Sequence, residues 1–205
     1  MSTLSDNPPM TTSIDVLRHG EPEGGTRYRG SGVDDPLTDI GWQQMWDAVD
    51  GRSDWTQIVS SPMRRANAFA EELSQKLDLP VEVDDRFKEI GFGVWEGRTP
   101  EEIIAEDPDA LDHFFADPVN NRPEGAESLE DFSDRVWMAY GDVVERFSGE
   151  HVLIVAHAGV ARAIVANTLH MPLDDVYSRL KITYAGILQT LVEPGAPPKM
   201  LINSY

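Results

Sequence analysis

Apolar positions recur along the chain with two periods, and they divide it into alternating strands and helices. Ser13 to Leu17 alternates polar and apolar side chains, the period of a strand, and runs straight into Arg18-His19-Gly20-Glu21. A loop rich in Gly, Pro and Asp follows as far as Leu37. Thr38 then reads as the N-cap of a helix with Trp42, Met45, Trp46 and Val49 on one face. Ile58-Val59 belongs to a short buried strand. Ser61-Pro62 reads as a cap with proline at the first helical position. The helix it opens turns Ala66, Phe69, Ala70, Leu73 and Leu77 inward. Val81–Val83 is a third short strand, and Gly91–Gly97 an irregular connection. Thr99-Pro100-Glu101-Glu102 is a capping box. Ser128 starts a long helix with Phe132, Val136, Tyr140, Val143 or Val144, and Phe147 at helical spacing. Val152–Ala156 is an unbroken apolar run, which suits a central parallel strand buried on both faces. It ends at His157-Ala158-Gly159, and a helix through about His170 follows. Lys181–Tyr184, Ile187–Val192 and Met200–Ile202 read as further strands.

Strands that alternate with helices in this way predict an α/β domain. The expected architecture is a three-layer sandwich, a mostly parallel central sheet with helices on both faces. One domain spans residues 1–205, with Met1–Thr12 as a flexible tail and 98–126 as a lid-like insertion over the site. In open sheets of this kind ligands bind outside the carboxyl ends of the strands. Two of the five histidines, His19 and His157, fall directly after strands, where such a site would lie.

Composition narrows the chemistry. The chain has 205 residues and no cysteine, so disulfides, thiolate nucleophiles and cysteine-held metals are excluded. No H-E-x-x-H pattern exists, and no two histidines stand three or four apart on a helix, so no metal and no cofactor is expected. No apolar stretch approaches the length of a membrane span, and the start of the chain lacks the features of a signal peptide, so a soluble, cytoplasmic protein is expected. The formal charge is −19, from 36 carboxylates against 17 Lys and Arg. Such a surface repels nucleic acid and anionic membrane. An anionic small molecule would need a local island of arginines.

Four places offer that chemistry. Arg18 beside His19 supplies a fork of donors suited to phosphate or carboxylate. Gly20 allows close backbone approach, and its carbonyl can hold one ring N–H, leaving the other nitrogen nucleophilic. His157 lies at the tip of a very apolar strand. Arg64 and Arg65 sit in the first turn of a helix, where basic residues are unfavourable unless an anion is present. Glu89 and Glu96 flank Gly91–Trp95, and either carboxyl could act as a general acid.

Together these segments resemble the histidine phosphatase, or phosphoglycerate mutase-like, superfamily. Leu17-Arg18-His19-Gly20-Glu21, Asp35-Pro36-Leu37-Thr38 with Gly41, Ser60-Ser61-Pro62 with Arg65-Ala66, Lys88–Gly93 with Trp95-Glu96-Gly97, Gly125–Ser128, and Val155–Val160 with Arg162 resemble its motifs, in its order. The resemblance implies a phosphoglycerate mutase-like fold and a small-molecule phosphate ester as substrate. It implies His19 as nucleophile, Glu89 as proton donor, and Arg18, Arg65 and His157 as phosphoryl ligands. Gly20, Arg27, Arg29 and Ala158 are implied as substrate-binding positions. Pro22 and Gly25 stand where the family usually has side-chain donors, so Arg27, Arg29 or a backbone N–H is expected to replace them. The segments around Glu21–Gly30 and Phe92–Gly97 look most like bacterial α-ribazole phosphatases of cobalamin assembly. Other phosphatases and mutases of the superfamily, and an inactive phosphatase-like binding module, are the alternatives. Trp95, His113, Phe114 and Phe115 are expected either to shape a partly aromatic lid or only to fill a small satellite core.

Overall fold

The computed structural model describes residues 10–201. Six strands form one sheet: β1 (Thr12–Arg18), β2 (Gln57–Ser60), β3 (Val81–Val83), β4 (His151–Ala156), β5 (Ile187–Val192) and β6 (Lys199–Leu201), in the order β3-β2-β4-β1-β5-β6. The β3-β2, β2-β4 and β4-β1 pairings are parallel, and β5 and β6 add on antiparallel. The seven helices among the described residues are α1 (Asp39–Ala48), α2 (Arg64–Leu77), α3 (Pro100–Glu106), α4 (Ala110–Ala116), α5 (Leu129–Arg146), α6 (Ala158–Leu169) and α7 (Leu173–Arg179).

Alternation along the central strands sorts side chains to two faces. Ile14, Val16, Val152 and Ile154 point to α5 and α6, where they meet Phe132, Val136, Tyr140, Val160 and Ile164. Leu17, Ile58, Leu153 and Val155 point the other way, to Met45, Ala66, Phe69 and Leu73 of α1 and α2. β4 is thus buried on both sides, and each of its large side chains contributes about 1.5–3 kcal/mol. The expected α/β sandwich is the observed one. Among the described residues no helix is long and apolar enough to cross a membrane.

Three caps lie where the sequence puts them. Thr38 accepts the Gly41 N–H at 2.9 Å, Thr99 and Glu102 form the capping box, and Ser128 accepts the Asp131 N–H at 3.0 Å. Other expectations change. Thr12 belongs to β1 rather than to a tail, and its hydroxyl accepts the Gly149 N–H. Ile202 lies outside the described residues, as do residues 1–9 of the expected tail. Ser61 is not the cap of α2. That helix begins three residues later, after Met63, which has no capping side chain. Asp34, from the loop before α1, instead accepts the Arg64 N–H at 2.7 Å and provides the anion this arginine-bearing helix start requires.

Lys181–Tyr184 is not a strand but leads into a turn, in which Thr183 O accepts the Gly186 N–H at 3.1 Å, and carbonyls in and beside it are used by arginines. Leu180 O accepts from Arg162 Nε at 2.8 Å and Ile182 O accepts from Arg18 Nη1. Helices α4 and α7 are elements the apolar pattern did not separate from their loops. Within residues 98–126, α3 and α4 enclose a small core of Trp95, Ile103, Leu111 and Phe114, against which Tyr28 and Phe92 pack.

Candidate active site

Parallel pairing brings three strand tips together. Arg18 pairs with Ala156 and Ser60 with Val155, so β1, β2 and β4 end at one level. The chain continues the ladder one step further: His19 N–H donates to Ala156 O at 3.0 Å, and Ser61 N–H to Val155 O at 2.9 Å. His19, Ser61 and His157 therefore emerge side by side, and the two imidazoles lie 5.2 Å apart, edge to face.

His19 Nδ1 sits 2.7 Å from Gly20 O. A carbonyl only accepts, so Nδ1 carries the hydrogen and Nε2 keeps its lone pair. Burial, then the charges of Arg65 and Arg18, hold His19 well below the ordinary imidazole range, so the ring is neutral at pH 7. Gly20 is required by packing, since a Cβ there would stand 2.2 Å from Gly41 O of α1. The close backbone approach that this glycine makes in the structure is to that helix.

His157 is fully buried, and burial followed by Arg65 and His19 pushes it well below its usual range too. Its Nε2 lies 2.7 Å from Ser61 Oγ, which also accepts the Met63 N–H at 3.3 Å. The serine oxygen accepts from the backbone and shares one hydrogen with Nε2. His157 Nδ1 is buried with no partner among the described residues.

Two guanidiniums close the floor. Arg65, 1% exposed, donates to Val33 O and Gly30 O, both at 2.9 Å, and its nearest carboxylate, Asp34, is 4.0 Å away. Arg18 packs on Tyr184, with its guanidinium carbon 4.1 Å from the ring centre. The Nε atoms of both are buried without a partner among the described residues. A buried and a half-buried cation held by carbonyls rather than by close carboxylates create a positive well in an acidic chain, suited to a dianion.

Glu89 faces them. Its carboxylate accepts the Ile90 N–H at 3.0 Å and the Gly159 N–H at 3.2 Å. A Cβ on Gly159 would stand 2.1 Å from Glu89 Oε1, so glycine there is what admits the carboxylate. Arg135 of α5 donates to the carbonyls of Lys88 and Glu89 and is paired with Glu127 at 2.6 Å, which holds the backbone of the segment.

Two cavities meet at Glu89. One, of about 130 Å³, is lined by Arg18, His19, Arg65, Arg27, Arg29 and Tyr184 among others. The second, of about 170 Å³, is lined by Ile90, Phe114, Phe115, Pro118, Arg162 and Tyr177. Tyr28, Glu89 and Phe92 line both. The site thus has a cationic half and an aromatic half, with a carboxylate between them.

Residues 14–204 match the family model of the histidine phosphatase superfamily, branch 1. The chain belongs to this superfamily. It is 31% identical over 197 residues to a bifunctional protein of Mycobacterium tuberculosis, covering 94% of this chain and 54% of that one. It thus spans about half the length of that relative. A glucosyl-3-phosphoglycerate phosphatase of Mycolicibacterium vanbaalenii is 33% identical over 171 residues, covering 78% and 75% of the two chains. The solved structure of YhfR from Bacillus stearothermophilus superposes with a TM-score of 0.84 at 31% identity, covering 93% and 96%.

In this member of the superfamily the five residues expected to act together, Arg18, His19, Arg65, Glu89 and His157, converge. Glu96, the other candidate acid, lies outside both cavities and ties the Ser31 and Phe92 N–H groups instead. Arg27 reaches the rim but folds back on Gly24 O. Arg29 lines the cavity with its donors committed to Asp35 and to the carbonyls of Glu23 and Gly25. Ala158 opens α6 beside His157 and is not among the lining residues. His113 lines a separate outer cavity, and Trp95 fills the small core, whereas Phe114 and Phe115 reach the aromatic half. Sequence reasoning missed Tyr184, for which no local signal exists. It read Ser61 as a cap, and the histidine it serves lies 96 residues away.

Proposed function

We propose that this chain is a metal-independent phosphomonoesterase that works through a phosphohistidine on His19. The observation that carries the reading is the unprotonated His19 Nε2 facing a cavity floored by Arg18 and Arg65. In the first step Nε2 attacks phosphorus and the P–O bond to the alcohol breaks. The Glu89 carboxyl gives its proton to the departing oxygen. The ring becomes cationic as it takes the phosphoryl group, and Gly20 O, already accepting from Nδ1, stabilises that charge. In the second step water attacks phosphorus, Glu89 takes its proton, and the P–N bond breaks to release orthophosphate. Arg18, Arg65 and the Nδ1–H of His157 hold the three outer oxygens, positioning and neutralising the charge that the transition state spreads over them.

The substrate is a small phosphate ester, and the aromatic half supports α-ribazole 5′-phosphate. Tyr28, Phe92, Phe114 and Phe115 line that half and supply an apolar, aromatic wall for a planar base. A second reading rests on Arg162, which lines that half and makes no ion pair among the described residues. It suits an alcohol bearing a carboxylate, as in glucosyl-3-phosphoglycerate, the substrate named for a relative. The test compares wild type and His19→Ala on p-nitrophenyl phosphate in EDTA, then on both natural esters. The reading expects EDTA-resistant turnover, absent in the variant, and an acid-labile phosphoprotein after quenching. Turnover retained by His19→Ala would sink the nucleophile. The larger kcat/KM of the two esters decides between the substrates.

A further inference from the structure

The segment after α7 carries a backbone strain that the sheet does not require. Ala185 sits at φ 53°, in the left-handed region that side-chain-bearing residues adopt only against steric cost. Such conformations persist where the surroundings enforce them, and they gather at working sites. Here Ala185 N–H donates to His19 O at 3.3 Å and Gly186 N–H to Thr183 O at 3.1 Å, which pins the turn against the nucleophile's own backbone. The residue presented by this turn is Tyr184. Its ring lies 4.1 Å from the Arg18 guanidinium carbon and 5.9 Å from the His19 ring, and it lines the cationic cavity.

The Arg18 guanidinium lies over the face of this ring, and among the described residues the Tyr184 hydroxyl has no hydrogen-bond partner. A phenol can donate as well as accept, so its hydrogen remains for a ligand in the cavity that Tyr184 lines. Meanwhile, of the loop after His19, Arg27 and Tyr28 bring side-chain donors to the cavity, Arg27 folded back on Gly24 O. Pro22 has none, Gly25 has no side chain, and the donors of Arg29 are committed within the loop.

We propose that Tyr184 is a substrate-contacting residue whose hydroxyl donates to a phosphoryl oxygen while its ring fixes the plane of Arg18. This rests on the cavity being the phosphoryl site. The test uses the full chain with Tyr184→Phe, which keeps the ring, and Tyr184→Leu, which removes it. Orthovanadate and inorganic phosphate serve as competitive inhibitors of p-nitrophenyl phosphate turnover, and the thermal midpoint checks folding. Tyr184→Phe should weaken both inhibition constants and lower kcat/KM roughly tenfold or more, the loss of one hydrogen bond to a charged group, with the midpoint little changed. Tyr184→Leu should lose more. If Tyr184→Phe binds vanadate within twofold of wild type, the hydroxyl is not a donor and the proposal fails, whatever Tyr184→Leu does. An inactive wild type would instead overturn the phosphatase reading itself.

Discussion

Replacing Ser61 by Ala separates two roles for one hydroxyl. If Ser61 capped α2, its loss would cost about 1 kcal/mol of stability and leave turnover intact. The structure gives the hydroxyl to His157 Nε2 at 2.7 Å, in a fully buried pair. Removing it deletes a hydrogen bond, about 1 kcal/mol, and strands a buried ring nitrogen, about 1–3 kcal/mol more. A total near 2–4 kcal/mol lowers Tm by about 4–16 °C in a domain of this size. The larger consequence is chemical. If Nδ1 donates to the phosphoryl group as proposed, Nε2 must accept from Ser61, and loss of that hydroxyl removes the preference for this tautomer. One lost transition-state donor costs about 10²- to 10³-fold in kcat, and a partial tautomer shift a fraction of that. The assay is kcat on p-nitrophenyl phosphate well below the Tm of Ser61→Ala, with urea denaturation of both proteins. A fall in kcat of about tenfold or more together with the stability loss is expected. A variant that is only slightly less stable and turns over at the wild-type rate would refute the assignment of the hydroxyl to His157.

Gly159→Ala pushes a methyl group into Glu89, so turnover of alkyl phosphates should fall much further than that of p-nitrophenyl phosphate, whose leaving group needs no proton; equal losses on both would count against Glu89 as the acid. The folded pKa of His19 and of His157 is depressed, so both rings stay neutral well below pH 6.5. The acidic limb of kcat/KM due to the nucleophile should therefore lie well under that value, and a limb at 6.5 in this chain would contradict the burial argument. By the same sign these rings contribute stability that is present above about pH 6.5 and lost as pH falls toward their folded values. His151 runs the other way: its bond to buried Asp15 raises its pKa, so its contribution is complete below about pH 6.5 and lost as pH rises through the folded value. His151→Gln should accordingly reduce the urea midpoint more at pH 5.5 than at pH 8.5. Phe115, 52% exposed, lines the aromatic cavity only, whereas Phe114 lines it and is also buried in the small core. Phe115→Ala should change the preference between aromatic and aliphatic esters at little cost in stability, while Phe114→Ala should cost about 3–5 kcal/mol in that core; unchanged preference in Phe115→Ala would argue against substrate contact there.

The sequence by itself determined the layers and the strand tips. The apolar run at Val152–Ala156 specifies a strand buried on both faces, and the caps at Thr38, Thr99 and Ser128 are local chemistry legible within four residues. The same locality exposed Arg18-His19-Gly20 and His157-Ala158-Gly159, because each follows its strand directly. Only the tertiary structure decided what these groups do to one another. Ser61 leaves its helix to serve His157, Asp34 takes over at the start of α2, and the carbonyls of Leu180 and Ile182 go to arginines rather than to a strand. Tyr184 arrives at Arg18 from the far end of the chain. The physical reason is that hydrophobic period and capping are short-range and imprint on neighbouring residues. A buried polar group, by contrast, must find its partner wherever the fold brings one, and that partner leaves no mark on the local pattern.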